Sequence, residues 1–139
     1  MIILDTNVLS EILRPAPEPR VVDWLAAQDG ATVCLTAITE AELRHGVAIL
    51  PEGKRRNDLA EMIDQIIRED FAGRILPFDS PAAEAFATIA AARGAMGRPI
   101  AHADCQIAAI ARAVGGAVAT RNTPDFAECG VRLINPWTA

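Results

Sequence analysis

MIILDTNVLSE, residues 1–11, places four apolar residues at the terminus and then breaks the run with Asp5, Thr6 and Asn7. A run so short reads as a strand, Ile2–Leu4, buried on both faces, which is the pattern of a parallel sheet. In open parallel sheets ligands bind beyond the carboxyl ends of the strands, where the strand order reverses. Asp5 therefore stands at an address that chemistry uses, although it could also serve as the cap of a helix beginning near Asn7.

Four further runs have the same length and character: Thr32–Leu35, Arg74–Leu76, Ala117–Ala119 and Val131–Ile134. Helical patterns fill the spaces between them. In NDLAEMIDQIIREDF, Leu59, Met62, Ile63, Ile66 and Ile67 fall on one helix face. SPAAEAFATIAAARG opens with Ser80 as cap and Pro81 at the first helical position, and Gly94 is placed to end it. AHADCQIAAIARAVGG closes on Gly115 and Gly116. Strands alternating with helices predict an α/β domain, 1–139, with a mainly parallel sheet of about five strands and helices on both faces. Two helices intervene between the second and third strands, with LPEGKRRN as their polar turn, and predict a projecting helical pair.

The 139 residues suffice for one domain with a sizeable core, and 51% of them are apolar. No apolar run approaches the ~20 residues that span a bilayer, and no basic leader precedes the first strand, so a cytoplasmic location is expected. Cys34, Cys105 and Cys129 are widely spaced, without a C-x-x-C pair, and read as reduced core residues. His45 and His102 make no H-E-x-x-H motif, and neither G-x-G-x-x-G nor a Walker lysine motif is present. A net charge of −5 argues against a broad sequence-independent nucleic-acid footprint.

Three acids share the address of Asp5. Glu42 is expected in the opening turn of the helix after VCLTAITE, Asp104 near the start of the Ala-rich helix, and Asp125 just after the fourth strand, in ATRNTPDF. Each has a structural alternative: Thr39 and Glu42 fit a capping box, and Asp104 and Asp125 suit helix N-termini, with Thr123 and Pro124 as cap and first position. Four carboxylates at one edge repel, however, and need a cation to stay ionised. Oxygen-only donors select Mg²⁺ or Mn²⁺, and such a site activates water and stabilises charge growing on a phosphodiester. A metal-dependent nuclease is the chemistry these residues suggest.

ILDTNVLSE, TAITEAELRHG, AHADCQIAAIA and ATRNTPDF, taken in order over essentially the whole chain, resemble the PIN-domain nucleases. Among them the chain looks most like the VapC-type ribonuclease toxins of bacterial toxin–antitoxin pairs. The resemblance implies a PIN-like three-layer fold and Mg²⁺- or Mn²⁺-dependent endonucleolytic cleavage of RNA. It makes Asp5 and Asp104 the principal metal ligands and has Glu42 complete the site directly or through water. Thr6 and Asn7 would hold the first turn, and Thr120 and Asn122 would supply polar contacts beside the metal. Some members carry Asp where this chain has Asn122, which leaves Asp125 as the nearest fourth carboxylate. A homodimer and a small inhibitory antitoxin are the implied partners, with Ala82–Ala92 and the helical pair as candidate surfaces and Arg44 and Arg121 as candidate phosphate contacts.

Rival readings fit less well. An aspartate-based phosphotransferase of the haloacid-dehalogenase type wants D-x-D, and the second position here is Asn7. A receiver domain wants an acidic pair after the first strand, an acceptor such as Asp79 and a later lysine, but the only lysine is Lys54. A non-catalytic PIN-like binding module remains as the alternative in which the fold only binds a partner.

Overall fold

The structure, a computed structural model, describes Met1–Ala139. Strand β1 (Ile2–Leu4) leads into α1 (Thr6–Ile12) and α2 (Pro19–Ala26). Next come β2 (Val33–Thr36), α3 (Ala37–Ala48), α4 (Lys54–Gln65) and β3 (Ile75–Leu76). The chain ends with α5 (Ser80–Ala95), α6 (His102–Ala113), β4 (Ala117–Ala119) and β5 (Leu133–Ile134). The sheet runs β3-β2-β1-β4-β5, and every pairing is parallel.

The first strand is central because both of its faces are apolar. Alternation sends Leu4 to one side and Ile3 to the other. Leu4 and its β4 partner Ala119 join Val8, Val21, Leu35, Leu43 and Ile63 in a core beneath α1 to α4. Ile3 and Val118 join Ile89, Ile107, Ala108 and Phe126 in a second core beneath α5 and α6. The helices therefore cover both faces, as expected. All three cysteines are free and buried. No helix is long and apolar enough to cross a membrane.

Several boundaries differ from the sequence expectation. The second strand begins at Val33, because Asp29 caps a short turn over Gly30–Thr32. The third and fifth strands shrink to Ile75–Leu76 and Leu133–Ile134. The cap of α3 is Thr36, not Thr39: strand passes straight into helix, and the Thr36 hydroxyl accepts the Thr39 amide at 3.1 Å. Glu42 consequently lies beyond the first turn, where the acidic residue is Glu40. Asp79, not Ser80, caps α5 by accepting the Ala82 amide at 3.2 Å. Gly94 does not end α5, which continues to Ala95; the left-handed residue is Gly97, at φ +69°. Asn122, rather than Thr123, precedes the short turn Thr123–Phe126.

Helix α2 is an element the expected pattern omits, with Glu18 as its cap and Pro19 in its first turn. The paired helices α3 and α4 are joined by an ion pair between Arg44 and Asp64 at 2.8 Å. Their inner residues, Leu43 and Ile63, belong to the core, whereas Met62 stays exposed.

Gly116, just before β4, is packed against the start of β1. A Cβ there would lie 2.6 Å from Ile3 Cδ1 and 3.2 Å from the Met1 carbonyl oxygen. Ile3 is fully buried, so its side chain has little room to yield. Gly116→Ala is expected to cost about 1–3 kcal/mol of stability, the usual range for overpacking. Urea denaturation measures this, and an unchanged midpoint would refute it.

Candidate active site

The strand order reverses at β1, whose neighbours β2 and β4 are reached by crossovers in opposite directions. Asp5 leaves β1 and Thr120 leaves β4 at this switch point, and the Asp5 amide donates to the Ala119 carbonyl at 2.9 Å. The Asp5 carboxylate is held through both of its oxygens. It is the N-cap of α1, with Oδ1 accepting the Thr6 amide at 2.8 Å. Its Oδ2 accepts the Thr120 hydroxyl, also at 2.8 Å.

Thr120 is fully buried and gathers the surrounding polar groups. Its oxygen accepts the Asn122 amide at 3.0 Å and the Asn7 side-chain amide at 3.3 Å. Asn7 Oδ1 accepts the Arg121 amide at 3.3 Å. Asn7 thus locks the exit of β4 to the first turn of α1. Asn122 enters this network through its backbone, and its side chain makes none of these bonds.

A chain of hydroxyls reaches Glu42 from the other side. Thr6 Oγ1 donates to Glu42 Oε1 at 2.8 Å and lies 3.0 Å from Thr39 Oγ1. With its single proton on Glu42, Thr6 accepts from Thr39, which in turn accepts from Thr36 at 3.5 Å. Thr36 and Thr39 are both fully buried, and Thr39 is not among the residues the sequence put forward for the site. The signal was its spacing from Thr36, which the capping-box reading assigned differently.

Asp104 lies in the first turn of α6 and Asp125 in the turn after β4. Burial raises the Asp104 pKa to about 6, and repulsion from Asp5, Asp125 and Glu42 adds to the effect. Burial also raises that of Asp5 against its bonds from Thr120 and Thr6, with Glu42 and Asp125 pushing the same way. The four expected acids are therefore electrostatic neighbours, and none of them is in an ion pair. Arg44 is committed to Glu40 and Asp64, each at 2.8 Å. Arg121 lies over the Trp137 ring at 5.3 Å from its centroid. Asp79, the acceptor a receiver domain would need, is occupied as a helix cap.

No three acidic, histidine or cysteine side chains converge closely enough to cage an ion. The donors suit an ion that keeps much of its own water: all are oxygens, they are short of positive charge, and Mg²⁺ commonly uses only one or two carboxylates. Beside Thr6 and Glu42 a groove of about 930 Å³ runs between α1, α3 and α4, bordered by Leu13, Val47, Leu59 and Met62.

The sequence profile of the PIN domain matches residues 2–130. The chain is 51% identical to Toxin FitB of Neisseria gonorrhoeae (strain ATCC 700825 / FA 1090) over 137 residues, covering 99% of each chain. It is 44% identical over 137 residues to VapC ribonuclease Y4jK of Sinorhizobium fredii (strain NBRC 101917 / NGR234), covering 99% of this chain and 98% of the other. Among solved structures, that of FitAcB from Neisseria gonorrhoeae superposes with a TM-score of 0.94 at 50% identity, covering 100% of both chains.

The Asp104 carboxyl titrates near 3.8 when unperturbed and near 6 in the fold. Between those values the folded chain keeps a proton that the unfolded chain has released, so stability falls as pH rises through that window. Without divalent metal, the thermal midpoint is expected to drop between about pH 4 and pH 6. Asp104→Asn should reduce that drop and melt above the parent at neutral pH, and parallel melting curves for the two proteins in EDTA would contradict it.

Proposed function

This chain belongs to the PIN domain family, and on that premise we propose that it is a divalent-metal-dependent endoribonuclease, the toxin of a toxin–antitoxin pair. The observation that carries the reading is the acidic pocket at the switch point, where burial and three neighbouring carboxylates raise Asp104. Strong identity to relatives named as a toxin and as a VapC ribonuclease supports the substrate class. Action in the cytoplasm belongs to the same proposal.

Asp5 and Asp104 would hold Mg²⁺, with Mn²⁺ as a substitute. When bound, the ion supplies a polarised water and neutralises charge developing on the scissile phosphate. The chain's own residues prepare that reaction. The Thr6 amide and Thr120 hydroxyl fix both oxygens of Asp5, so its orientation is set before RNA arrives. The Thr6 hydroxyl fixes one oxygen of Glu42, leaving the other to accept a proton from the attacking water, directly or through a second water. Asp125 would add charge on the far side of the pocket. Asn122, with its side chain uncommitted in the site's network, would orient water or a phosphate oxygen without adding charge. Arg121, which makes no ion pair, is the better candidate for a phosphate contact, since Arg44 is held by two carboxylates.

The groove beside Thr6 and Glu42 is where a small antitoxin would cover the pocket, and the Ala-rich α5 would serve a homodimer. Single-stranded RNA should be cut in the presence of Mg²⁺ and left intact in EDTA. Asp5→Asn and Asp104→Asn should each lower the rate by more than about 100-fold, with far-UV circular dichroism unchanged. Full activity in both variants would sink the assignment. Production of the chain alone should arrest growth; harmless accumulation of folded protein would count against a toxin.

A further inference from the structure

Arg93, in the last turn of α5, is only 4% exposed and has no carboxylate in ion-pair contact. Its guanidinium is satisfied instead by backbone carbonyls, with the Cys129 sulfur 3.7 Å from Nη1 as a further acceptor. Nε donates to the Arg98 carbonyl at 2.7 Å, and Nη1 donates to the Asp125 and Ala127 carbonyls, each at 2.9 Å. A buried cation without a counter-ion is costly, and an apolar side chain of similar volume would usually fill the space at lower cost. What an apolar residue cannot do is bind oxygens in several fixed directions, which the planar fork of arginine allows.

Those oxygens belong to two segments that lead to the acidic pocket. Arg98 lies in the connection from α5 to α6, the helix that carries Asp104 in its first turn, and its amide in turn donates to the Arg93 carbonyl at 3.0 Å. Asp125 and Ala127 belong to the turn leaving β4. One guanidinium therefore fastens the approach to Asp104 to the backbone of Asp125 itself. We propose that Arg93 is a positioning residue of the acidic site, setting the placement of Asp125 relative to Asp104 and so the pocket's fit to a divalent cation. The proposal rests on the reading of that pocket as a metal site.

The test compares the full-length parent with Arg93→Met, Arg93→Lys and Val21→Ala. Val21 is fully buried in the other core, under α1 to α4, so its truncation controls for lost stability alone. Mn²⁺ affinity is read from the electron paramagnetic resonance of the free ion, and backbone mobility from amide hydrogen exchange. Arg93→Met is expected to weaken Mn²⁺ binding by roughly 10- to 100-fold, the usual cost of losing a group that orients a metal ligand. Arg93→Lys should show a smaller loss, and Val21→Ala should bind as the parent does. Exchange in Arg93→Met should quicken at the Asp125 and Ala127 amides, which bond to Asn122 and Pro124 across the turn. Unchanged Mn²⁺ affinity in folded Arg93→Met overturns the proposal. If that variant does not fold, unchanged affinity in Arg93→Lys overturns it equally, as does an equal loss in Val21→Ala. A parent that takes up no Mn²⁺ overturns the metal-site reading instead, and the positioning role falls with it.

Discussion

The bond from the Thr120 hydroxyl to the Asp5 carboxylate, 2.8 Å long, ties together the two strand exits between which the pocket opens. It exists because β1 and β4 are parallel and in register, with Leu4 opposite Ala119, so that the next residue of each strand emerges at the same edge. A hydrogen bond to a charged group is worth about 1.5–3 kcal/mol, whereas withdrawing a carboxylate from water costs several. The Asp5 pKa is raised because burial, together with repulsion from Glu42 and Asp125, outweighs its two hydrogen bonds. The fold thus carries a carboxylate that its own hydrogen bonds incompletely compensate.

The extent to which the sequence discloses this arrangement depends on the range of each interaction. Ile2–Leu4 and Ala117–Ala119 are legible to the residue, because a short apolar run with a polar exit is a local property. The cap of α3 is not. Thr36 and Thr39 are both capable caps, and only the directness of the strand-to-helix passage makes it Thr36. Glu42 stands out in the sequence as an acid near the carboxyl edge of the sheet, with a capping box as its structural alternative, yet what orients it is Thr6, 36 residues away in sequence. Helix α2 is absent from the expected pattern although local signals for it exist, Pro19 in its first turn and Val21, Trp24 and Leu25 at helical spacing. Arg93 did not, since an arginine in an Ala-rich helix reads as solvated until the turn after β4 folds over it.

The two sides of the pocket are supported by different chemistry with one feature in common. On the Glu42 side the support is a line of neutral hydroxyls, from Thr36 through Thr39 to Thr6. On the Asp125 side it is the Arg93 cation, which acts on carbonyls and leaves the carboxylate alone. Other arginines are also held away: Arg14 pairs with Glu11, Arg44 with Glu40 and Asp64, and Arg121 stacks over Trp137. An internal cation beside Asp104 would favour its ionised form and lower its pKa, but it would also compete for the carboxylate oxygens. By satisfying Asp5 and Glu42 with hydroxyls and an amide only, the chain fixes their positions while leaving their charge uncompensated. The resulting strain on stability at neutral pH and the attraction for an external cation are one electrostatic quantity, seen from folding and from binding.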